Sequence, residues 1–403
     1  MLGRLRILYA NWPEGYVNLR FLVALAHKYH VYAFFFDETN QRIDRVRYVP
    51  IDIPSKVKII KPQDPPLLAI PLYMQLANKK GNVAWALKLL LRALIFRKCV
   101  KTLNPDLLIG NGVSGTNPYG LCGALSGHHP FFVLVWGSDI LVEAKNSWIL
   151  RQIAKYILKK ADAVIVDNEI KSRAAIELGC KRSKIWKFPW GIDLEKLHSG
   201  DNCIEVRRQL HWENSRIVVS TRNHFPIYGI EYLLKAIPIV VEKIPQARFL
   251  IIGGGPLTKT LKRIANQLGV TQYTHFTGFV PNQQIPSYLR ASDIYVSTSF
   301  SDGSSLSLLE ALACGLPAVV SDIPGNHEWI QNGRNGFLVP TKDSETLADK
   351  IIFLLENDDI RKPMSSYNSE LAKVKADWNQ NVEVLYNAIE ALAESKNKRN
   401  TRT

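Results

Sequence analysis

Short apolar runs alternate along the chain with longer stretches in which apolar positions recur at helical spacing. The runs fall at residues 5–10, 31–36, 107–110, 131–135, 163–166 and 185–188. Strand–helix–strand repetition predicts a parallel sheet covered on both faces. The pattern restarts after Trp190-Gly191-Ile192-Asp193, with runs at 217–221, 248–253, 275–278, 294–297, 318–321 and 337–339. Two α/β units in tandem are therefore expected, and a chain of 403 residues is longer than one hydrophobic core sustains. The turn-forming Pro189-Trp190-Gly191 marks the boundary, two further helices follow Lys342, and the last of them, beginning at Trp378, is amphipathic enough to pack onto another surface.

Composition adds limits. Five cysteines, Cys99, Cys122, Cys180, Cys203 and Cys314, form no C-x-x-C pair, which argues against a zinc site or a disulfide framework and for a reducing compartment. No stretch of about twenty apolar residues occurs, so a cytoplasmic chain, neither exported nor threaded through a bilayer, is expected. The excess of 51 basic over 36 acidic residues, net +15, favours an anionic surface. Between Asp64 and Asp106 there is no carboxylate, and Lys79, Lys80, Lys88, Arg92, Arg97, Lys98 and Lys101 interleave with Trp85, Leu90 and Leu94. Residues 79–101 read either as a basic amphipathic helix lying on an anionic membrane or as a core-packing helix with a solvated basic side. The last residues, 396–403, contain nothing to bury.

Candidate chemistry concentrates between Ser301 and Pro340. The predicted strand 294–297 feeds a polar loop, Ser301-Asp302-Gly303-Ser304-Ser305, and a helix then starts at Leu306 with either serine able to cap it. Unpaired amides and the positive dipole end of a capped helix favour phosphate or sugar oxygens. Gly303 permits close approach, while Asp302 and Glu310 place two carboxylates along one wall of a pocket. Such a pair can hold sugar hydroxyls on one side and ribose hydroxyls on the other.

The order of strand, capped loop, Glu310-Ala311, Gly315-Leu316-Pro317, second strand and Gly325-Asn326 resembles the retaining, nucleotide-sugar-dependent glycosyltransferases of the GT-B fold, the glycosyl transferases group 1 of family-four type. Their mark is an acid, seven residues, then Glu-Ala and Gly-x-Pro. Asp302 stands where most members have Glu. Arg222, after the strand 217–221, is similar to the family's arginine for the donor diphosphate, a role suited to a guanidinium fork. Tyr228-Gly229 stands where the family has Lys-Gly. Gly253-Gly254-Gly255 forms a strand-to-helix turn open to a ligand, and Val280 lies in the segment that resembles the base-reading one. Trp136-Gly137-Ser138-Asp139 follows the strand 131–135, with Trp136 in place of the common histidine. Gly15, in the loop Asn11 to Asn18, matches the family's first loop loosely.

The resemblance implies an α/β GT-B architecture, two Rossmann-like domains facing across a cleft. The expected domains are 1–190 on the acceptor side, 191–375 on the nucleotide-sugar side, 376–395 as a helix crossing back, and 396–403 as a disordered basic tail. It implies Asp302, Glu310 and Arg222 as catalytic; Gly303, Ser304, Ser305, Leu306, Val280, Tyr228 and Gly254 as donor-binding; and Gly15, Trp136 and Asp139 on the acceptor or sugar side. No metal or cofactor is implied: a UDP- or GDP-linked sugar is substrate, and the acceptor is a glycan or lipid-linked molecule of polysaccharide or envelope synthesis. Peripheral contact with the inner face of the plasma membrane is a further expectation, and nucleic acid is not a partner. The rivals are a GT-B nucleotide-sugar epimerase or phosphorylase and a non-catalytic anion-binding relative. A nicotinamide dehydrogenase is disfavoured because the first strand runs into Tyr9 to Gly15, YANWPEG, without G-x-G-x-x-G.

Overall fold

The structure, a computed structural model, describes residues 5–10, 16–34, 57–60, 82–114, 117–198 and 203–400. It divides into two compact units, one made of Met1–Phe188 and Val382–Thr403, the other of Pro189–Asn381.

The first unit carries seven strands among the described residues: β1 (Arg6–Ala10), β2 (His30–Phe34), β3 (Val57–Ile60), β4 (Leu107–Asn111), β5 (Phe131–Leu134), β6 (Ala163–Val166) and β7 (Ile185–Lys187). All pair in parallel in the order β3-β2-β1-β4-β5-β6-β7. The strand β3 is an addition to the sequence expectation. The helix Pro118–Ser126 lies directly on this sheet, because Gly120 and Gly123 lack side chains there: a Cβ on Gly120 would stand 1.8 Å from the Gly112 carbonyl oxygen, and one on Gly123 2.4 Å from the Phe131 ring.

The helix Asn82–Leu103 covers the expected basic segment. It turns Ile95, Phe96, Cys99 and Val100 inward and leaves Trp85, Leu87, Leu90 and Leu94 outward, so apolar residues occupy both sides. The helix thus packs on the core with an exposed basic side, as one of the two readings has it, and Arg97, Lys98 and Lys101 share that side with Leu90 and Leu94. Lys79 and Lys80 lie outside the described residues.

The second unit holds β8 (Arg216–Ser220), β9 (Ala247–Ile252), β10 (Thr274–Gly278), β11 (Ile294–Ser297), β12 (Ala318–Ser321) and β13 (Gly336–Val339), in the parallel order β10-β9-β8-β11-β12-β13. Alternate residues feed two cores. Val218, Phe249, Ile251, Val296 and Val319 pack on one face, and Ile217, Val219, Leu250, Tyr295 and Val320 on the other. Both faces being covered, the strands read as near-continuous apolar runs.

Where the chain changes units, two passages pair by backbone. Ile192 N donates to Ala376 O at 2.7 Å, and Trp378 N donates to Ile192 O at 3.1 Å. Trp190 stacks on Trp378 with ring centroids 6.2 Å apart and planes 3° off parallel. From Val382 on, the last helix, Trp378–Asn400, belongs to the first unit, where Tyr386 Oη donates to Ala24 O at 2.8 Å and Lys28 meets Glu390 at 2.5 Å. This helix is described as far as Asn400, and no glycine or proline interrupts it.

Candidate active site

The strand order of the second sheet reverses between β8 and β11, and open α/β sheets bind ligands beyond the carboxyl ends of strands at such a switch point. Arg222 leaves β8 and the Asp302 loop leaves β11, so both stand at that crevice. Ser305, in extended backbone, caps the helix Leu306–Ala313 by accepting from Leu308 N at 3.4 Å. Buried Leu308, Leu309, Ala311 and Leu312 pin the helix to the core, and it ends before Gly315, whose φ of +77° suits a glycine. The loop rests on the helix Pro324–His327 at Gly325, where a Cβ would come within 2.4 Å of Gly303 O.

Arg222 is 8% exposed, and its guanidinium is closely held. Nη1 donates to Ser305 Oγ at 2.6 Å and to Ser307 Oγ at 2.7 Å, while Nη2 donates to the Asp302 carboxylate. The Tyr228 ring lies 4.2 Å from its central carbon, a stacked cation–π contact in the place of the family's lysine. Burial works to lower the Arg222 pKa, but Asp302, then Tyr295 and Tyr228, outweigh it and raise it, so the group stays charged. Tyr295 Oη donates to Ser307 Oγ at 3.0 Å and fixes that hydroxyl from the core side.

The other Asp302 oxygen accepts from the Gly303 amide, 3.0 Å away. Glu310 sits half-buried farther along the same helix. With burial the main cause, and against Arg290, its charge helps push the Cys314 thiol up to about 12. Ser304 and Leu306 are half-buried beside the cap.

The glycine turn after β9 is held by His224. His224 N donates to Gly254 O at 3.0 Å, Leu257 N donates to His224 O at 3.1 Å, and the His224 ring Nδ1 is 2.8 Å from Thr258 Oγ1. Burial, then the Lys262 charge, lowers the His224 pKa, which favours a neutral ring. A Cβ on Gly254 would lie 2.7 Å from the Phe279 ring, and the next residue, Val280, packs on the core. Ser307, Tyr295 and His224 stand outside the set that sequence reasoning picks out. Their local signal is no more than a polar residue beside a strand end or cap.

In the first unit, Trp136 Nε1 donates to Asn111 Oδ1. Asp139 is 4% exposed and its carboxylate accepts from Val113 N at 3.0 Å, joining the turn after β5 to the loop after β4. Burial pushes the Asp139 carboxyl up to about 6, the amides of Val113 and Trp136 pulling the other way. Gly15 lies outside the described residues.

A buried cation, a capped helix tip and a glycine turn thus stand at one sheet edge. The family glycosyl transferases group 1 is matched over residues 204–371 and the family glycosyl transferase 4-like over residues 55–168. Residues 204–371, in the second unit, carry the group 1 glycosyltransferase domain, and the chain has the two Rossmann-like domains of the GT-B fold. It is 27% identical over 221 residues, 52% of its length, to a GDP-mannose-dependent alpha-(1-6)-phosphatidylinositol monomannoside mannosyltransferase of Mycolicibacterium smegmatis. It is 29% identical over 194 residues, 47% of its length, to an Escherichia coli UDP-Gal:alpha-D-GlcNAc-diphosphoundecaprenol alpha-1,3-galactosyltransferase. These matches span 58% and 50% of the relatives' own lengths. Anabaena HepE, solved in complex with UDP, shares the fold with a TM-score of 0.76 at 20% identity, over 96% of this chain and all of that one.

Proposed function

We propose that the chain transfers a sugar from a UDP- or GDP-linked donor to a lipid-linked or glycan acceptor, with retention of configuration. The observation that carries this reading is the buried Arg222 beside a capped helix tip at the sheet's switch point. Cleaving a sugar–phosphate bond puts negative charge on the departing nucleotide, and preorganised donors at that place lower the barrier. Arg222 and the amides of Gly303, Ser304, Ser305 and Leu306 take that part, so no metal or cofactor is assigned. Tyr228, Gly254 and Val280 line the nucleotide side, and Asp302 and Glu310 hold hydroxyls of sugar and ribose. Under retention the leaving phosphate accepts the acceptor's proton. Two relatives, a GDP-mannose-dependent phosphatidylinositol monomannoside mannosyltransferase and a galactosyltransferase for UDP-Gal and a diphosphoundecaprenol-linked sugar, support both the donor class and the acceptor class.

A peripheral place on an anionic membrane belongs to the same reading. Leu87, Leu90 and Leu94 form an outward stripe continued by Arg97, Lys98 and Lys101. The helix Trp148–Lys160 exposes Trp148 (74%) and Ile149 (58%) together with Lys159 and Lys160. Both helices pack on the helix Pro118–Ser126, so their apolar and basic residues belong to one covering layer of the first sheet. Apolar anchors among cations suit an anionic lipid interface, with Trp148 as the interfacial ring.

The activity is tested by incubating labelled UDP- and GDP-sugars with lipid-linked acceptors. Asp302→Ala and Glu310→Ala should each lower turnover by about 100-fold or more while circular dichroism stays unchanged. Unaltered transfer by both variants contradicts the assignment.

A further inference from the structure

We propose that Asp302 is an internal stand-in for phosphate: its carboxylate occupies the anion position of the nucleotide-sugar site and has to leave before a donor diphosphate can dock. The inference rests on the donor-site reading above and adds a competitor built into the chain.

Three observations carry it. One Asp302 oxygen accepts from Arg222 Nη2 and the other from the Gly303 amide at 3.0 Å. A guanidinium and a backbone amide, here that of the loop residue following Asp302, are both kinds of donor that hold a phosphate. The carboxylate therefore satisfies both with one planar anion. Next, Arg222 keeps a buried Nε with no hydrogen-bond partner, although the residue is 8% exposed. A buried donor left unmet is destabilising, and a bound ligand oxygen would relieve it. Finally, Ser305 and Ser307 hold Nη1 at 2.6 and 2.7 Å and Tyr228 covers a face of the guanidinium, so Arg222 is fixed without help from Asp302. The carboxylate can swing away without releasing the cation.

Charge then decides which anions enter. A diphosphate must displace a carboxylate already in contact, and repulsion between the two makes an incoming anion expel Asp302 from the guanidinium. Once expelled, the side chain is free to meet the sugar hydroxyls assigned to it. The exchange ties hydroxyl binding to phosphate binding at one residue.

The sign of the resulting prediction is unusual for a residue of the reaction site. Asp302→Asn and Asp302→Ala should bind UDP or GDP more tightly than the wild-type chain, by about tenfold, or ~1.4 kcal/mol, while losing sugar transfer. Isothermal titration of the full chain and both variants with UDP and with GDP reads this directly. Tighter binding by both variants supports the stand-in. Binding by either variant that is equal to or weaker than wild type overturns it, because a carboxylate that only contacts sugar leaves the diphosphate unaffected and one that orients Arg222 weakens it. Absence of binding by all three proteins removes the donor-site reading itself, and the stand-in with it.

Discussion

At the scale of single residues, Asp139 and Arg222 show how burial acts on charge in opposite ways. Burial raises the Asp139 carboxyl to about 6 from an ordinary value of 3.8. A carboxyl raised in the folded state binds more protons than in the unfolded chain, so stability from this group is highest below about pH 4 and falls as pH climbs through 6. Asp139→Asn should flatten the stability curve across that window and be more stable than wild type at pH 7 by up to ~3 kcal/mol, as urea melts at pH 4.5 and 7 would show. Parallel curves for the two proteins would contradict this. Arg222 instead keeps its charge because Asp302 stands against it. Arg222 and Ser305 are legible in the sequence, since a strand end and a helix cap carry local signatures. Ser307 is not, because its role exists only through a partner 85 positions away, and His224 acquires its role through the fold of the glycine turn.

At the scale of elements, the places where the chain changes units make the sharpest demand on sequence. A Cβ on Gly191 would lie 2.4 Å from Trp378 Cα and 2.5 Å from Trp378 N, both backbone atoms that cannot yield easily. Gly191→Ala should therefore destabilise the protein by about 2 kcal/mol through overpacking, measured as a lower thermal midpoint; an unchanged midpoint would show that the passage relaxes. Strands such as Ala163–Val166, Ile294–Ser297 and Ala318–Ser321 are legible to the residue because a doubly covered strand is an unbroken apolar run. Val57–Ile60 is not, because four residues with a lysine among them, Val-Lys-Ile-Ile, give too little pattern to distinguish an edge strand from a loop. The helix Asn82–Leu103 is legible as a helix but not in its faces: apolar residues on both sides erase the periodicity that separates a buried face from an outward one.

At the scale of the whole molecule, the two parallel sheets carry different features, one the buried cation and helix tip, the other the outward apolar and basic helices. The tandem arrangement is legible because the strand–helix pattern restarts after Asp193, and the pairing order of the strands is not, because periodicity carries no information on which strands are neighbours. If the outward layer of the first unit meets lipid, Leu90→Glu combined with Leu94→Glu should abolish sedimentation with vesicles containing anionic phosphatidylglycerol while neutral phosphatidylcholine vesicles bind neither protein; equal binding by variant and wild type would refute the lipid surface. The most direct test of the central claim is a thermal-shift titration of the full chain with UDP and GDP beside Arg222→Met. Ligands that bind only the folded state raise its melting temperature, so at least one nucleotide should raise that of the wild type and leave the variant's unmoved. An equal rise in both proteins, or none in either, would contradict a donor site built on Arg222.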